Sequence, residues 1–112
     1  MLGAGTLDRP IRFEHATETT STSGEVSLVW ATLADVWGSK EPLLGRELFA
    51  AQQAVAKVDT RFRVRYSSLV KDVNPDETYR IVCDGKVYDI TAVMETGRRE
   101  GLEILAETRA ES

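Results

Sequence analysis

Hydrophobic and polar positions alternate along much of this chain with the two-residue period of a strand. Ile11, Phe13 and His15 alternate with Arg12 and Glu14, which predicts a half-buried first strand. Thr17 to Gly24 (TETTSTSG) is small and polar and reads as an exposed connection or hairpin tip. Glu25 to Trp37 carries Val26, Leu28 and Trp30 on one face and Val29, Ala31, Leu33 and Trp37 on the other. A strand apolar on both faces is central or curls through a barrel, and its two tryptophans are expected to supply much of the core. Gly and Pro break the pattern over Gly38 to Gly45 (GSKEPLLG).

The period then changes. Leu44, Leu48, Ala51, Val55 and Val58 recur at helical spacing, which predicts one short helix over Arg46 to Lys57. A helix of that length is marginal alone and needs a partner surface, either the body of the protein or a neighbouring subunit. In Thr60 to Tyr66, Phe62, Val64 and Tyr66 are expected to point inward and Arg61, Arg63 and Arg65 outward. Ser67 to Glu77 reads as a polar loop turning at Asn74-Pro75-Asp76. Tyr79 to Cys83 and Lys86 to Val93 flank Asp84-Gly85, the signature of a hairpin with a type I′ turn. Thr96 to Gly101 is a charged turn, and Leu102 to Thr108 a last strand.

The predicted fold class is therefore mainly β. It is a small closed β-barrel or tight sandwich of about six antiparallel strands, with one inserted loop and a short α-helix. At 112 residues the chain makes a single domain over 1–112, with 1–8 and 109–112 expected to be flexible. Hydrophobic residues make up 42% of the chain, too many for a disordered sequence.

Charge and chemistry narrow the function classes. A formal net charge of −4 argues against a tight, non-specific grip on nucleic acid, which relies on Lys and Arg neutralising phosphates. One cysteine, Cys83, allows no internal disulfide and fits assembly in a reducing cytosol. The first ten residues lack a signal-peptide pattern, and no stretch approaches a membrane span. His15 and Cys83 make no zinc spacing, the acidic residues follow no calcium-loop pattern, and no Gly-rich phosphate loop joins a strand to a helix. His15 reads as structural or exposed and Cys83 as a buried thiol. No catalytic residue, cofactor or metal is assigned.

The most chemical feature is the stripe Arg61, Arg63, Arg65. Three readings stand: a solvated face paired with acids on the next strand, an inter-subunit ladder, or a DNA-facing patch. Arg98-Arg99 is a second small basic site, a turn surface or a partner contact. Phe62, Tyr66 and Tyr79 with the arginines also permit an alternative, an OB-like module binding single-stranded nucleic acid. The acidic charge and the inward placement of the aromatics weigh against it. A small enzyme ranks last, for want of converging polar residues.

Taken in order, several segments resemble the head–tail joining proteins of long-tailed phages, also called head-closure, stopper or adaptor proteins, a family found in gene transfer agents too. The segments are Leu7, Arg9 and Ile11; Trp30-Ala31-Thr32 with Asp35-Val36-Trp37; Leu43-Leu44-Gly45-Arg46-Glu47 with Ala50-Ala51-Gln52; Arg63-Val64-Arg65-Tyr66; Arg80-Ile81 with Asp84 to Ile90; and Gly97-Arg98-Arg99. Pro10 departs from the pattern by removing a strand donor, and the loop from Lys71 to Thr78 is longer than usual.

The resemblance implies a barrel with an inserted loop and helix, working as a ring of six or twelve copies in the neck of a virion assembled in a bacterial cytoplasm. The implied partners are further copies of the chain, a portal or adaptor ring on the head side, tail terminator or tail tube proteins on the other, and double-stranded DNA passing without specific binding. No membrane is involved. Glu41, Pro42, Leu43, Leu44, Gly45 and Arg46 are the candidate channel or gating loop. Arg61, Arg63, Arg65, Arg98 and Arg99 are the candidate inter-subunit contacts.

Overall fold

The computed structural model describes residues 9–54, 57–75 and 78–109. Six strands run in the order β1 (Arg9–Thr20), β2 (Val26–Pro42), β3 (Thr60–Arg65), β4 (Tyr79–Cys83), β5 (Lys86–Thr96) and β6 (Gly101–Thr108), with one helix, α1 (Gly45–Ala54), between β2 and β3. Every neighbouring pair is antiparallel, and the sheet closes on itself as β1-β2-β3-β6-β5-β4. This is the small closed barrel that the strand pattern predicts. Of the expected flexible ends, 1–8 and 110–112 lie outside the described residues. Arg109 is held: its N–H donates to the Val87 carbonyl at 2.8 Å and its Nε to Asp89 at 3.1 Å.

The inward half of each alternation fills the interior. Ile11 and Phe13 from β1, Phe62 and Val64 from β3, Ile81 from β4 and Ile104 from β6 are fully buried, with Tyr88 set edge-on to Phe62 at 4.9 Å between ring centres. Burying each such side chain contributes roughly 1.5–3 kcal/mol. Asp84 and Gly85 both take positive φ (53° and 77°), as a type I′ turn requires.

Three expectations change. The tryptophans do not build the core: Trp37 is 63% exposed, and Trp30 lies half-buried on the outer surface with the Arg80 guanidinium 4.0 Å above its ring. A β-bulge between Phe13 and Glu14, opposite Leu33, resets the faces of the hairpin, so the alternation of β2 does not carry its aromatics inward. Secondly, β2 does not stop at Gly38 but runs on to Pro42, pairing with β3 from Gly38↔Val64 to Pro42↔Thr60. Gly38 is there because the strands cross closely: a Cβ would sit 2.6 Å from the Arg63 carbonyl oxygen and from Ile11 Cδ1. Thirdly, the polar segment after β3 buries Val70 and Val73 against the core, so it closes an end of the barrel instead of lying wholly in solvent. Smaller shifts follow: β1 extends through Thr20 with the tip confined to 21–25, β3 ends at Arg65 with Tyr66 half-buried beyond it, and β5 continues to Thr96.

Candidate functional site

The barrel interior is filled by side chains, so what the chain offers to other molecules lies outside it: an arm, a helix and an edge of arginines.

The arm is the far half of the β1–β2 hairpin. β1 is bracketed by β2 on one side and β4 on the other only over Arg12–His15; beyond His15↔Tyr79, the ladder continues with β2 alone to Thr20↔Val26. From Ala16 to Thr20 this is about 17 Å of free two-stranded ribbon at a strand's rise. The molecule's principal extents are 49 × 30 × 25 Å. The root of the arm is fixed firmly. The rings of His15 and Tyr79 stack at 4.4 Å, the Ala16 N–H donates to the Thr78 carbonyl at 2.8 Å, and Arg80 Nε donates to Glu14 at 2.7 Å beneath Trp30. Val26, Leu28 and Val29 are exposed along it, and among the described residues the β2 edge from Val26 to Trp37 has no strand beside it on the side away from β1.

The candidate gating segment is spread over three settings. Glu41 and Pro42 end β2, Leu43 is buried, Leu44 is 70% exposed, and Gly45 and Arg46 open α1. Gly45 has φ of +55°, which glycine adopts without strain. Leu43 N–H donates to the Asp59 carbonyl at 3.0 Å, pinching the two ends of the insertion together. Between them α1 presents Phe49 to solvent at 69% exposure. Two polar links hold it: Glu47 receives Arg61 Nη1 at 2.9 Å, and Gln52 Nε2 donates to the Val58 carbonyl at 3.1 Å. Of the expected helical stripe, Val58 is buried in the segment following the helix, Leu48 and Ala51 are half-buried, and Val55 lies outside the described residues.

The arginine candidates divide in two. Arg61 reaches Glu47 and, at 3.3 Å, Glu41; Arg63 reaches Glu41 at 3.3 Å and Glu103 at 3.2 Å. Both are thus paired within the chain across β2, β3, β6 and α1. Arg65, Arg98 and Arg99 make no ion pair among the described residues and lie at one end of the barrel. Arg65 pairs in register with Gly101, and the Arg99 guanidinium is 6.0 Å from the ring of Tyr66.

Asp84 and Cys83 have structural settings. Asp84 accepts from Lys40 at 2.9 Å and Arg9 at 2.6 Å through one carboxylate oxygen, and the hydrogen bond from Lys40, with both positive charges, holds its pKa below the usual value. Burial pushes the Cys83 thiol up, with the Asp84 charge adding to the effect, so it is a poor nucleophile at neutral pH. A shallow cleft lined by Pro10, Arg12, Asp35, Val82, Cys83 and Asp84 has its charges already consumed, Arg12 by Asp35 at 2.9 Å and Asp84 as above. Phe62 is fully buried and Tyr79 stacked on His15, so neither is a free platform for a base.

The barrel interior is filled, and an outlying arm, an almost unpacked helix and three arginines without an ion pair among the described residues lie on its outside. A family model described as phage head completion protein matches residues 2–109, and the chain belongs to that family. It is accordingly a virion protein with a structural part in completing the head. The solution structure of protein SF1141 from Shigella flexneri 2a has the same fold, with a TM-score of 0.77 at 24% identity, covering 99% of this chain and 100% of that one. A chain in the virion of a native gene transfer agent particle is similar at a TM-score of 0.56 and 22% identity, covering 94% and 97%. No curated protein matches the chain.

Proposed function

We propose that this protein is a non-enzymatic neck component. Copies of it form a ring at the exit of a filled head, join head to tail, retain packaged DNA and line part of its channel. The family match over residues 2–109 carries this reading. A chain of similar fold in a gene transfer agent virion supports it, as does a body that exposes apolar side chains on its arm and helix and arginines at one end. The partners are further copies of the chain, the portal or adaptor ring on the head side and tail terminator or tail tube proteins on the other. An acidic chain of net charge −4 suits a conduit that DNA traverses without adhering. Glu41 to Arg46 is the channel-facing segment in this reading, with Leu44 exposed where the segment enters α1.

The test is to remove the chain from a particle-producing strain and count products. Expected are filled heads that lose their DNA and carry no tails, with both defects cured by supplying the chain in trans. Heads that keep their DNA and acquire tails normally in its absence would overturn the proposal.

A further inference from the structure

We infer that the arm of one copy docks on the free arginine edge of the next, and that this contact closes the ring; the inference rests on the ring reading above. The arm carries Glu18 and Glu25 and no cation from Ala16 to Leu33, and neither acid makes an ion pair among the described residues. Beside them stand Val26, Leu28 and Val29, exposed by 61%, 43% and 50%. The arm cannot fold back to satisfy these groups, because it is a continuous ladder to Thr20↔Val26, bolted at its root by the Glu14–Arg80 pair and the His15–Tyr79 stack.

The complementary surface is on the same chain. Arg65 and Arg98 are exposed and make no ion pair among the described residues, and Arg99 leans toward Tyr66. Of the acids in that turn, Glu95 is occupied by the Arg99 backbone N–H at 3.1 Å, and Glu100 stands beside Gly97. Exposed Trp37 lies one register step beyond Gly38↔Val64, level with Arg65, and Leu69 is exposed in the segment following β3. One surface is apolar and purely acidic, the other apolar with three arginines against two glutamates, and they are different surfaces. A contact between two different patches of identical chains is heterologous, and repeated with a closing rotation it makes a ring. DNA is the wrong occupant for an arm bearing two carboxylates. The exposed charges at its rim steer and register the fit, while the apolar side chains exclude water.

Mutual charge reversal tests this on the full chain in neck complexes isolated from particles, with near-ultraviolet circular dichroism as the folding control. One variant carries Glu18→Arg and Glu25→Arg, the other Arg65→Glu and Arg98→Glu. Each alone should lower the yield of ring oligomer about tenfold or more. Mixed in equal amounts, the two should assemble again in alternation, since each reversed arm then meets a reversed edge. Either variant assembling alone like the wild type, or a mixture of folded chains that does not recover, would overturn the inference while leaving the ring intact. Wild-type complexes without any oligomer of this chain would instead remove the ring reading and this inference with it.

Discussion

Gly38 shows how one residue governs the closure of the barrel. It is where β2, bound on one edge to β1, first meets β3 on the other. Any Cβ there would press on the Arg63 carbonyl and on Ile11. Gly38→Ala should cost about 1–3 kcal/mol through displaced backbone, read as a lower denaturant midpoint with an unchanged slope. An unaltered midpoint would mean that the strands can part without penalty. Asp84 works by charge. Its pKa is depressed, so the folded chain favours the ionised form. That contribution is present in full above the unfolded carboxylate value of about 3.9 and is lost as pH falls through the lower folded value. Asp84→Asn retains a residue tolerant of φ near +53° while removing the charge. The variant should melt lower than the wild type at neutral pH, with the difference vanishing in strong acid; a gap independent of pH would assign the effect to the turn instead.

Among the elements, α1 is the least secured. Ten residues are too few for a stable helix in water, and Phe49 points to solvent, so its position rests on two polar links, from Arg61 to Glu47 and from Gln52 to the Val58 carbonyl. The Arg61 side chain is only 13% exposed, is ion-paired to Glu41 and Glu47, and leaves its Nε without a hydrogen-bond partner among the described residues. Arg61→Ala should cost about 1–2 kcal/mol and weaken the helical ellipticity at 222 nm while leaving the strand signal unchanged. Undiminished helicity would show that the insertion is held by Leu43 and Val58 alone. The arginine stripe itself was readable from its period of two. That Arg61 and Arg63 are spent within the chain, and Arg65 is not, depends on which acids face them across β2, β6 and α1. No local pattern contains those neighbours.

For the whole molecule, the division is between a sealed barrel and appendages that await neighbours. The apolar exposure at Leu44 belongs to the second group, so its loss should spare the fold. Leu44→Asp should melt within about 0.5 kcal/mol of the wild type and yet yield particles that leak DNA. Full retention would take this segment out of the channel.

Alternation alone dictated the inward placement of Ile11, Phe13, Phe62 and Val64, and Asp84-Gly85 dictated its hairpin, because side-chain period and turn sterics are local properties of the chain. The tertiary structure decided the rest. It turned Trp30 and Trp37 outward, carried β2 through Gly38, used Val70 and Val73 as a plug, and left the end of the β1–β2 hairpin without a third strand. Each of these outcomes depends on which strands become neighbours after closure, and on a bulge that swaps the two faces midway. Residues far apart in the chain set such neighbours, so no run of the sequence specifies them alone.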